Sequence, residues 1–325
     1  MFPLITFQNA HARIHPHINQ TPLTVDPRTH LYLKWENHQP THSFKVRGAI
    51  NKILSMQTIP PALITGSAGN HGQAVARAAQ IVRQITSSEG NSPEAWVFVP
   101  EHTPNVKVNR MLDLGAKVER VPGLFGDAEA KAIQTAREMG VPFISAYNDP
   151  EVIAGAGTIA LEMFAELPLL ERILVPAGGG GLISGVGLAA KAIKPAVEVI
   201  GVLAEASPYL YHQFYYGHTQ DVVEYPTLTD GLAGAIEPGS ITLDLITQAC
   251  DAIIQVTEEE VAAAVAYLYR ELGETVEGSG AVGLAAVLAG KIRTNDRVTG
   301  AVVSGGNIDP EKLAQVLART ENINS

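Results

Sequence analysis

The sequence predicts an α/β fold in which open wound sheets, mostly parallel, are flanked by helices. Short runs rich in Val and Ile alternate along the chain with longer Ala-, Glu-, Lys- and Leu-containing segments of helical period. Strand-helix-strand repetition favours parallel pairing with helices on both faces, so we expect one such sheet or two. Glycine-rich turns follow several strands, at the carboxyl ends where ligands of these folds bind.

Nine strands are predicted, and helical segments lie between most of them. In chain order the strands are Leu31–Trp35, Leu63–Gly66, Trp96–Pro100, Lys117–Val121, Phe143–Ser145, Ile173–Pro176, Val197–Ala204, Ile253–Val256 and Val298–Ser304. The segment Thr86–Glu94 is polar and contains Gly and Pro, so it is expected to be a loop.

Composition limits the classes of partner. The 325 residues carry a formal net charge of −10 and no cluster of Lys and Arg, which argues against nucleic acid and anionic membranes, because both bind clustered positive charge. Small metabolites are the expected ligands. The single cysteine, Cys250, cannot form an intrachain disulfide and favours a cytoplasmic setting. No stretch resembles a secretion signal or reaches the ~20 apolar residues of a membrane span, so a soluble protein is expected.

Four successive glycines, Gly178 to Gly181, separate the strand Ile173–Pro176 from a helix beginning near Leu182. Such a run lets bare N–H groups converge on an anion at a helix N-terminus. The alternative is that the glycines only permit close packing of helix and strand, for which one or two would suffice. A phosphate site is therefore predicted.

A dinucleotide-binding protein is the main alternative. Gly278–Gly283 fits G-x-G-x-x-G, and Gly155–Ala160 and Gly185–Ala190 fit the version ending in alanine, while Glu205 lies where a ribose-binding acid could be. The fingerprint requires a strand-to-helix turn. Gly185–Ala190 is predicted inside a helix, Gly278 follows a helical segment, and Gly155 opens a helix after a polar loop, so the context argues against all three.

Three further features accompany the glycine run. Lys45 lies among partly apolar residues at the start of a helix; alone it would be interpreted as a surface lysine, although a desolvated amine becomes a nucleophile and base. The turn SAGNHG, Ser67–Gly72, follows the strand Leu63–Gly66 and offers either donors for a carboxylate or a plain helix cap. The turn VVSGGN, Val302–Asn307, ends the last strand.

Together these segments resemble the fold type II pyridoxal-phosphate enzymes, and within them the serine/threonine dehydratases and serine racemases. The similarity extends over nearly the whole chain, through KWENHQPTHSFKVRGA, TGSAGNHGQAVA, NDPEVIAGAGTIALE, VPAGGGGLISGV, VEGSGAVGLAAVL and VVSGGN. It implies a large cofactor-binding domain of residues 1–51 and 146–325, a smaller mobile domain of residues 52–145 that binds the substrate carboxylate, and a homodimer.

The resemblance also implies roles for individual residues. Lys45 takes the place of the lysine that forms a Schiff base with pyridoxal 5'-phosphate, and Glu277 matches an acid near the cofactor, unless it is an exposed carboxylate at a helix end. The other implied cofactor contacts are Phe44 on the pyridine ring, Asn70 on the ring hydroxyl, Gly178, Gly179, Gly180, Gly181 and Leu182 on the phosphate, and Ser304 on the ring nitrogen. The implied substrate contacts are Ser67, Ala68, Gly69, Asn70 and His71.

The implied reaction eliminates water from a β-hydroxy amino acid, L-threonine or L-serine. Lys45 removes the Cα proton, the hydroxyl departs as water after protonation by the cofactor phosphate, and the product hydrolyses to a 2-oxo acid and ammonia. Ser304 suits this chemistry, because a neutral hydroxyl stabilises a protonated pyridine less than an aspartate does and leaves the ring a weaker electron sink. A non-catalytic sensor that kept the cofactor fold is the nonenzymatic alternative.

Departures from the family pattern separate neighbouring activities. Ala68 stands where racemases carry a second serine as acid and base, so feeble racemase activity is expected, and His71 stands where cysteine synthases carry threonine. Gly234 replaces a serine near the substrate and predicts a roomier pocket, open to a phenyl or carboxylate β-substituent. Tyr211 replaces one of two acids that would hold a divalent cation with Glu205, which weakens such a site; no metal ligand is assigned.

Overall fold

The computed structural model describes residues 2–86 and 92–321. Residues 87–91 of the predicted loop Thr86–Glu94 therefore lie outside the described residues. Within the described ranges the chain forms two separate sheets, one of six strands and one of three, each with helices packed on both faces. The predicted α/β class with two open, mostly parallel sheets is confirmed.

The larger sheet has the strand order β1-β2-β9-β6-β7-β8. Its strands are β1 (Leu23–Val25), β2 (Tyr32–Trp35), β6 (Arg172–Pro176), β7 (Glu198–Ala204), β8 (Ala252–Val256) and β9 (Thr299–Val303). The pair β1 and β2 is antiparallel, and the other pairings are parallel. The sequence did not predict β1, because three residues are too few for an alternating pattern. Among the strands of the described ranges β9 comes last, yet it lies inside the sheet, between β2 and β6.

The smaller sheet consists of three parallel strands, β3 (Ala62–Gly66), β4 (Glu94–Pro100) and β5 (Lys117–Val121). The predicted strand Phe143–Ser145 is wrong, since only a single bridge forms, between Phe143 and Ile64. The carbonyl of Ile144 bonds to the side chains of Thr65 and His71, so the backbone ladder ends there.

Helices connect the strands and cover the sheets. They are α1 (Leu4–Ile14), α2 (Lys45–Leu54), α3 (Asn70–Ile85), α4 (Asn105–Asp113), α5 (Phe125–Met139), α6 (Pro150–Glu166), α7 (Gly181–Ile193), α8 (Tyr209–Tyr216), α9 (Ile241–Ala249), α10 (Glu258–Leu272), α11 (Gly278–Leu288) and α12 (Pro310–Glu321), with 3-10 turns at His15–His17 and Glu36–His38. Over residues 2–86 and 92–321, no helix combines the length and apolarity needed to cross a membrane.

Helices α1, α6 and α7 pack on one face of the larger sheet, and α10 and α11 pack on the other. Helices α6 and α7 approach closely at glycines: a Cβ on Gly185 would lie 2.3 Å from the Ile153 carbonyl oxygen. Gly155 lies inside α6 rather than at its start, and a Cβ there would lie 2.5 Å from the Arg47 carbonyl oxygen. These glycines of the dinucleotide-like matches therefore serve helix packing.

Candidate active site

A cavity of about 900 Å³ opens between the two sheets. Ser67 after β3, Gly178 after β6 and Ser304 after β9 all line it, so the carboxyl ends of strands from both sheets converge there. All site residues predicted from the sequence line this one cavity: Phe44, Lys45, Ser67, Ala68, Gly69, Asn70, His71, Gly178, Gly179, Gly180, Gly181, Leu182, Glu277 and Ser304.

Lys45 is the first residue of α2. Its Nζ donates to the Ala146 carbonyl at 2.8 Å and lies 5.1 Å from the centroid of the Phe44 ring. Burial lowers the pKa of the amine from 10.5 to about 8, and the charge of Glu277 opposes the shift. The Phe44 N–H donates to the Ser304 carbonyl at 3.0 Å, which joins this segment to the end of β9. An amine with this pKa is a competent nucleophile and base near neutral pH.

Arg47 anchors the start of α2 in the protein interior. Its fully buried guanidinium donates to Glu36 at 2.7 and 2.8 Å and to Glu162 at 2.6 and 2.8 Å. Lys34 adds an ion pair to Glu162 at 2.8 Å. Burial alone would raise the pKa of Glu162, but the Arg47 hydrogen bond and both cations hold it below its usual value. Since buried charges require partners, this network fixes the helix that carries Lys45.

The glycine turn, Gly178 to Gly181, leads from β6 into α7, whose first residue is Gly181. A Cβ on any of the four would lie within 2.8 Å of Leu232, Tyr147 or Thr242, and Gly180 has a φ of +91°. Close packing, the alternative explanation for these glycines, is therefore present. Helix α7 begins at Gly181 without a side-chain cap, so the N–H groups of its first turn have no side-chain acceptor. The turn thus keeps the features of a phosphate site as well.

The serine turn, Ser67 to Gly69, joins β3 to α3. Ser67 Oγ accepts from the Gly69 N–H at 3.3 Å, within the turn itself. Helix α3 begins at Asn70 without a side-chain cap. Ser67 and Asn70 therefore do not act as a plain helix cap, and the N–H groups of this helix start remain suited to a carboxylate.

His71 contributes a neutral ring. Its Nε2 lies 3.0 Å from the Ile144 carbonyl oxygen, an acceptor, which places the ring proton on Nε2. Burial lowers the pKa of the ring to about 3, and the nearby Lys45 acts in the same direction. The side chain of His71 adds no positive charge to the serine turn, so any anion held there depends on N–H groups.

Glu277 precedes α11 and is only 7% exposed, so its interpretation as an exposed helix-end carboxylate is wrong. Its Oε1 accepts from Asn70 Nδ2 at 2.7 Å. Burial raises the pKa of Glu277 to about 7, and the nearby Asp230 acts in the same direction. The carboxyl therefore changes its charge near neutral pH beside a predicted cofactor contact.

Ser304 is 3% exposed and follows β9 directly. Its Oγ lies 3.4 Å from the Ser279 carbonyl oxygen, the long limit of a hydrogen bond. The hydroxyl is therefore a neutral group in the cavity wall, able to accept or donate to a ligand.

Lys107, Asp230 and Asn307 also line the cavity, and no sequence motif predicted a contact for them. Lys107 in α4 pairs with Asp230 at 3.4 Å, and Arg110 in the same helix donates to Asn307 Oδ1 at 2.7 Å. The partners lie 123 and 197 residues apart, so no local spacing indicates either contact. Asn307 ends the VVSGGN turn, and the motif itself predicts no contact for its side chain.

Glu205 and Tyr211 are the two positions of the cation site that the sequence predicts to be weak. Glu205 follows β7 and is exposed, and Tyr211 lies in the aromatic helix α8. No three His, Cys, Asp or Glu side chains of the described ranges are grouped so as to hold a metal ion.

Comparisons with known proteins place the chain in a family. The family model described as pyridoxal-phosphate dependent enzyme matches residues 14–305. An L-threonine ammonia-lyase of Thermotoga maritima is 40% identical over 289 residues, which cover 88% of this chain and 69% of that protein. The structure of maize serine racemase matches with a TM-score of 0.87 at 29% identity, covering 99% of this chain and 98% of that one. Threonine deaminase isoform 2 from Solanum lycopersicum matches with a TM-score of 0.88 at 29% identity, covering 98% and 88%.

The cavity fits the cofactor of this family. A buried amine of lowered pKa suits an aldehyde, an uncapped helix start behind four glycines suits a phosphate, and the neutral hydroxyl of Ser304 suits a ring nitrogen. Pyridoxal 5'-phosphate is the cofactor that the family match and these groups indicate together. The chain belongs to the pyridoxal-phosphate dependent enzymes, in the fold type II group of serine and threonine dehydratases.

Proposed function

We propose that this chain is a threonine/serine ammonia-lyase, which eliminates water from L-threonine or L-serine and yields a 2-oxo acid and ammonia. The observation that carries the proposal is that Lys45, with its pKa near 8, shares one cavity with the glycine turn and the serine turn. The match to an L-threonine ammonia-lyase, 40% identical over 88% of this chain, supports it further.

We propose the following contacts for the cofactor. Lys45 binds it covalently, Phe44 packs on the ring, Asn70 donates to the ring hydroxyl, Gly178, Gly179, Gly180, Gly181 and Leu182 hold the phosphate, Glu277 supports Asn70, and Ser304 faces the ring nitrogen. When bound, the cofactor supplies an electron sink for the Cα–H bond of the substrate. The short Asn70–Glu277 bond of 2.7 Å supports the roles of these two residues.

The remaining steps belong to side chains and backbone of this chain. The residues Ser67, Ala68, Gly69, Asn70 and His71 hold the substrate carboxylate at the start of α3. The Nζ of Lys45 accepts the Cα proton, which its lowered pKa permits near neutral pH. Ala68 offers a methyl group and transfers no proton on the opposite face, which favours elimination over racemisation.

The segment 52–145 forms the small domain that binds the substrate carboxylate, and residues 1–51 and 146–325 form the large one. Separate sheets support this division. The contacts of Lys107 with Asp230 and of Arg110 with Asn307 join the two segments beside the cavity. Closure along these contacts excludes water from the reacting atoms.

A homodimer in the cytoplasm completes the proposal. The family resemblance supports the dimer, and the buried free thiol of Cys250 is consistent with a reducing compartment. Analytical ultracentrifugation tests the first statement, and a monomer at micromolar concentration would contradict it. Fractionation of the source cells tests the second.

The second candidate substrate is a β-hydroxy amino acid with a bulkier β-substituent, and the cavity favours an apolar substituent. A Cβ on Gly234 would meet nothing within 4 Å, so the cavity has free space at this position. Lys107 in the cavity wall already pairs with Asp230. Glu129 and Glu224 line the same cavity, so a second substrate carboxylate near them would be repelled. Phenylserine should therefore be turned over faster than 3-hydroxyaspartate.

Three measurements test the proposed function. The purified protein should show the visible absorption of bound pyridoxal phosphate, and borohydride should attach the cofactor permanently to Lys45, as mass spectrometry of the peptide would reveal. Ammonia release should follow addition of L-threonine or L-serine, with D-serine formation far slower. Lys45→Ala should abolish turnover, and a Lys45→Ala protein with full activity would refute the proposal.

A further inference from the structure

Asn70 has a side-chain amide whose direction decides what it offers to the cavity. An amide presents hydrogen-bond donors on its nitrogen and only acceptors on its oxygen. In the structure Asn70 Nδ2 donates to Glu277 Oε1 at 2.7 Å and Asn70 Oδ1 accepts from Asn307 Nδ2 at 2.7 Å. One hydrogen of Nδ2 therefore remains for a ligand of the cavity.

Asn307 is held in one direction by two groups of fixed polarity. Its Oδ1 accepts from Arg110 Nη1 at 2.7 Å, and its Nδ2 donates to the Thr41 carbonyl at 2.9 Å. A guanidinium only donates and a carbonyl only accepts. Reversal of the amide would set nitrogen against nitrogen and oxygen against oxygen, and Asn307 is 8% exposed, so water could not compensate.

We propose that Arg110 is a positioning residue, which fixes the amide of Asn307 and through it the amide of Asn70, so that Asn70 presents a donor to the ring hydroxyl of the cofactor. The order of bonds runs from an all-donor group, Arg110, to an acceptor, the Oε1 atom of Glu277. Each amide between them has one arrangement that satisfies both neighbours. This inference rests on the proposed contact of Asn70 with the cofactor.

The bonds from Arg110 to Asn307 and from Asn307 to Asn70, together called the relay, also join the two sheets. Arg110 and Asn70 lie on helices α4 and α3 beside the smaller sheet, whereas Asn307 follows β9 of the larger one. A simple tether between the sheets would need only an attraction between Arg110 and position 307. The relay needs in addition a donor at position 307 that faces Asn70, and this requirement separates the two explanations.

Asn307→Asp is the decisive variant. An aspartate keeps the contact with Arg110 and adds opposite charge to it, but it can donate neither to Asn70 nor to Thr41. We expect the dissociation constant for pyridoxal phosphate to rise about tenfold, the weight of one or two lost hydrogen bonds. The visible absorption band of the bound cofactor and its pH titration should shift as well.

Arg110→Met and Arg110→Lys test the first bond of the relay. The methionine variant loses the donor and should weaken cofactor binding about threefold to tenfold, while the lysine variant keeps an all-donor group and should restore most of the affinity. Arg120→Met is the matched control, since Arg120 Nη2 donates to Asn105 Oδ1 at 2.7 Å, also in an arginine-to-asparagine pair but away from the cavity. It should bind cofactor as the unchanged protein does.

The outcomes are distinguishable. If Asn307→Asp binds the cofactor with unchanged affinity and absorption, or if Arg110→Met matches Arg120→Met, the relay is refuted. Thermal melts of each variant without cofactor identify any general loss of folding. If a variant is less stable, it is loaded at saturating cofactor and its absorption band is compared with that of the unchanged protein; an unchanged band refutes the relay. If the unchanged protein binds no pyridoxal phosphate, the proposed function itself fails.

Discussion

The two helix starts at the cavity are held in different ways. The glycine turn before α7 is packed directly against Leu232, Tyr147 and Thr242, with no room for a single added carbon. The start of α3 is held instead by polar side-chain bonds across the cavity, from Asn70 to Glu277 and Asn307. The glycine turn is thus fixed by packing on its own side of the cavity, whereas the position of the α3 start depends on bonds to the opposite sheet that can be broken and remade when the cavity opens.

Gly180→Ala, in the packed glycine turn, should have the largest effect on stability and cofactor binding. The φ of +91° and the Thr242 side chain 2.7 Å from an added Cβ should together cost about 2–4 kcal/mol of stability and most of the cofactor affinity. Denaturant unfolding and equilibrium cofactor binding measure the two losses. Gly234→Ala is the control, because its φ of +102° is equally unfavourable but no atom lies within 4 Å; a cost equal to that of Gly180→Ala would contradict the packing argument.

The polar bonds at the start of α3 can be tested through the dependence of stability on pH, because Glu277 takes part in them. Its pKa is raised from 4.5 to about 7 in the folded protein, so the folded chain binds more protons than the unfolded chain between these values. The free energy of unfolding should therefore fall by on the order of 3 kcal/mol as pH rises from 4.5 to 7 and above.

Glu277→Gln should remove this dependence, because the amide stays neutral and can still accept from Asn70. The free energy of unfolding of each protein without cofactor should be measured at pH 5 and at pH 8. The other titrating groups are the same in both proteins, so their effect cancels when the two pH-dependent changes are subtracted. If the free energy of unfolding of both proteins changes with pH in the same way, the raised pKa of Glu277 is contradicted.

The smallest effect is expected from the ion pair of Lys107 and Asp230. The pair is partly exposed, so Lys107→Met should change stability by less than about 1 kcal/mol. If the pair helps to close the cavity, the variant should raise the KM for threonine about twofold to fivefold while cofactor affinity stays constant. Lys117→Met, which breaks the exposed pair with Glu94 away from the cavity, should change neither.

The sequence predicted more of the site than of the contacts that hold it. The glycine turn, the serine turn and Lys45 are each written in a few consecutive residues, and the structure brings all of them to one cavity. The bonds of Arg110 and Lys107 join segments more than 100 residues apart and depend on how the two sheets face each other. No single-sequence pattern encodes that relation.

The fold shows the same division between local and distant information. Eight of the nine predicted strands exist, because alternation and turn residues mark them locally. Phe143–Ser145 has a suitable composition, but the side chains of Thr65 and His71 take the Ile144 carbonyl, and that competition is set by tertiary structure. The short strand β1 exists only because β2 offers it an edge.

The position of β9 has a consequence for how the protein is made. Because β9 follows the other five strands of the larger sheet in the chain yet lies between β2 and β6, the sheet that carries the glycine turn stays divided until residue 303 has been synthesised. The three-stranded sheet, by contrast, is finished once residue 121 has left the ribosome. A nascent chain halted before Thr299 should thus carry one assembled sheet and one with exposed edges, a state that needs protection by chaperones.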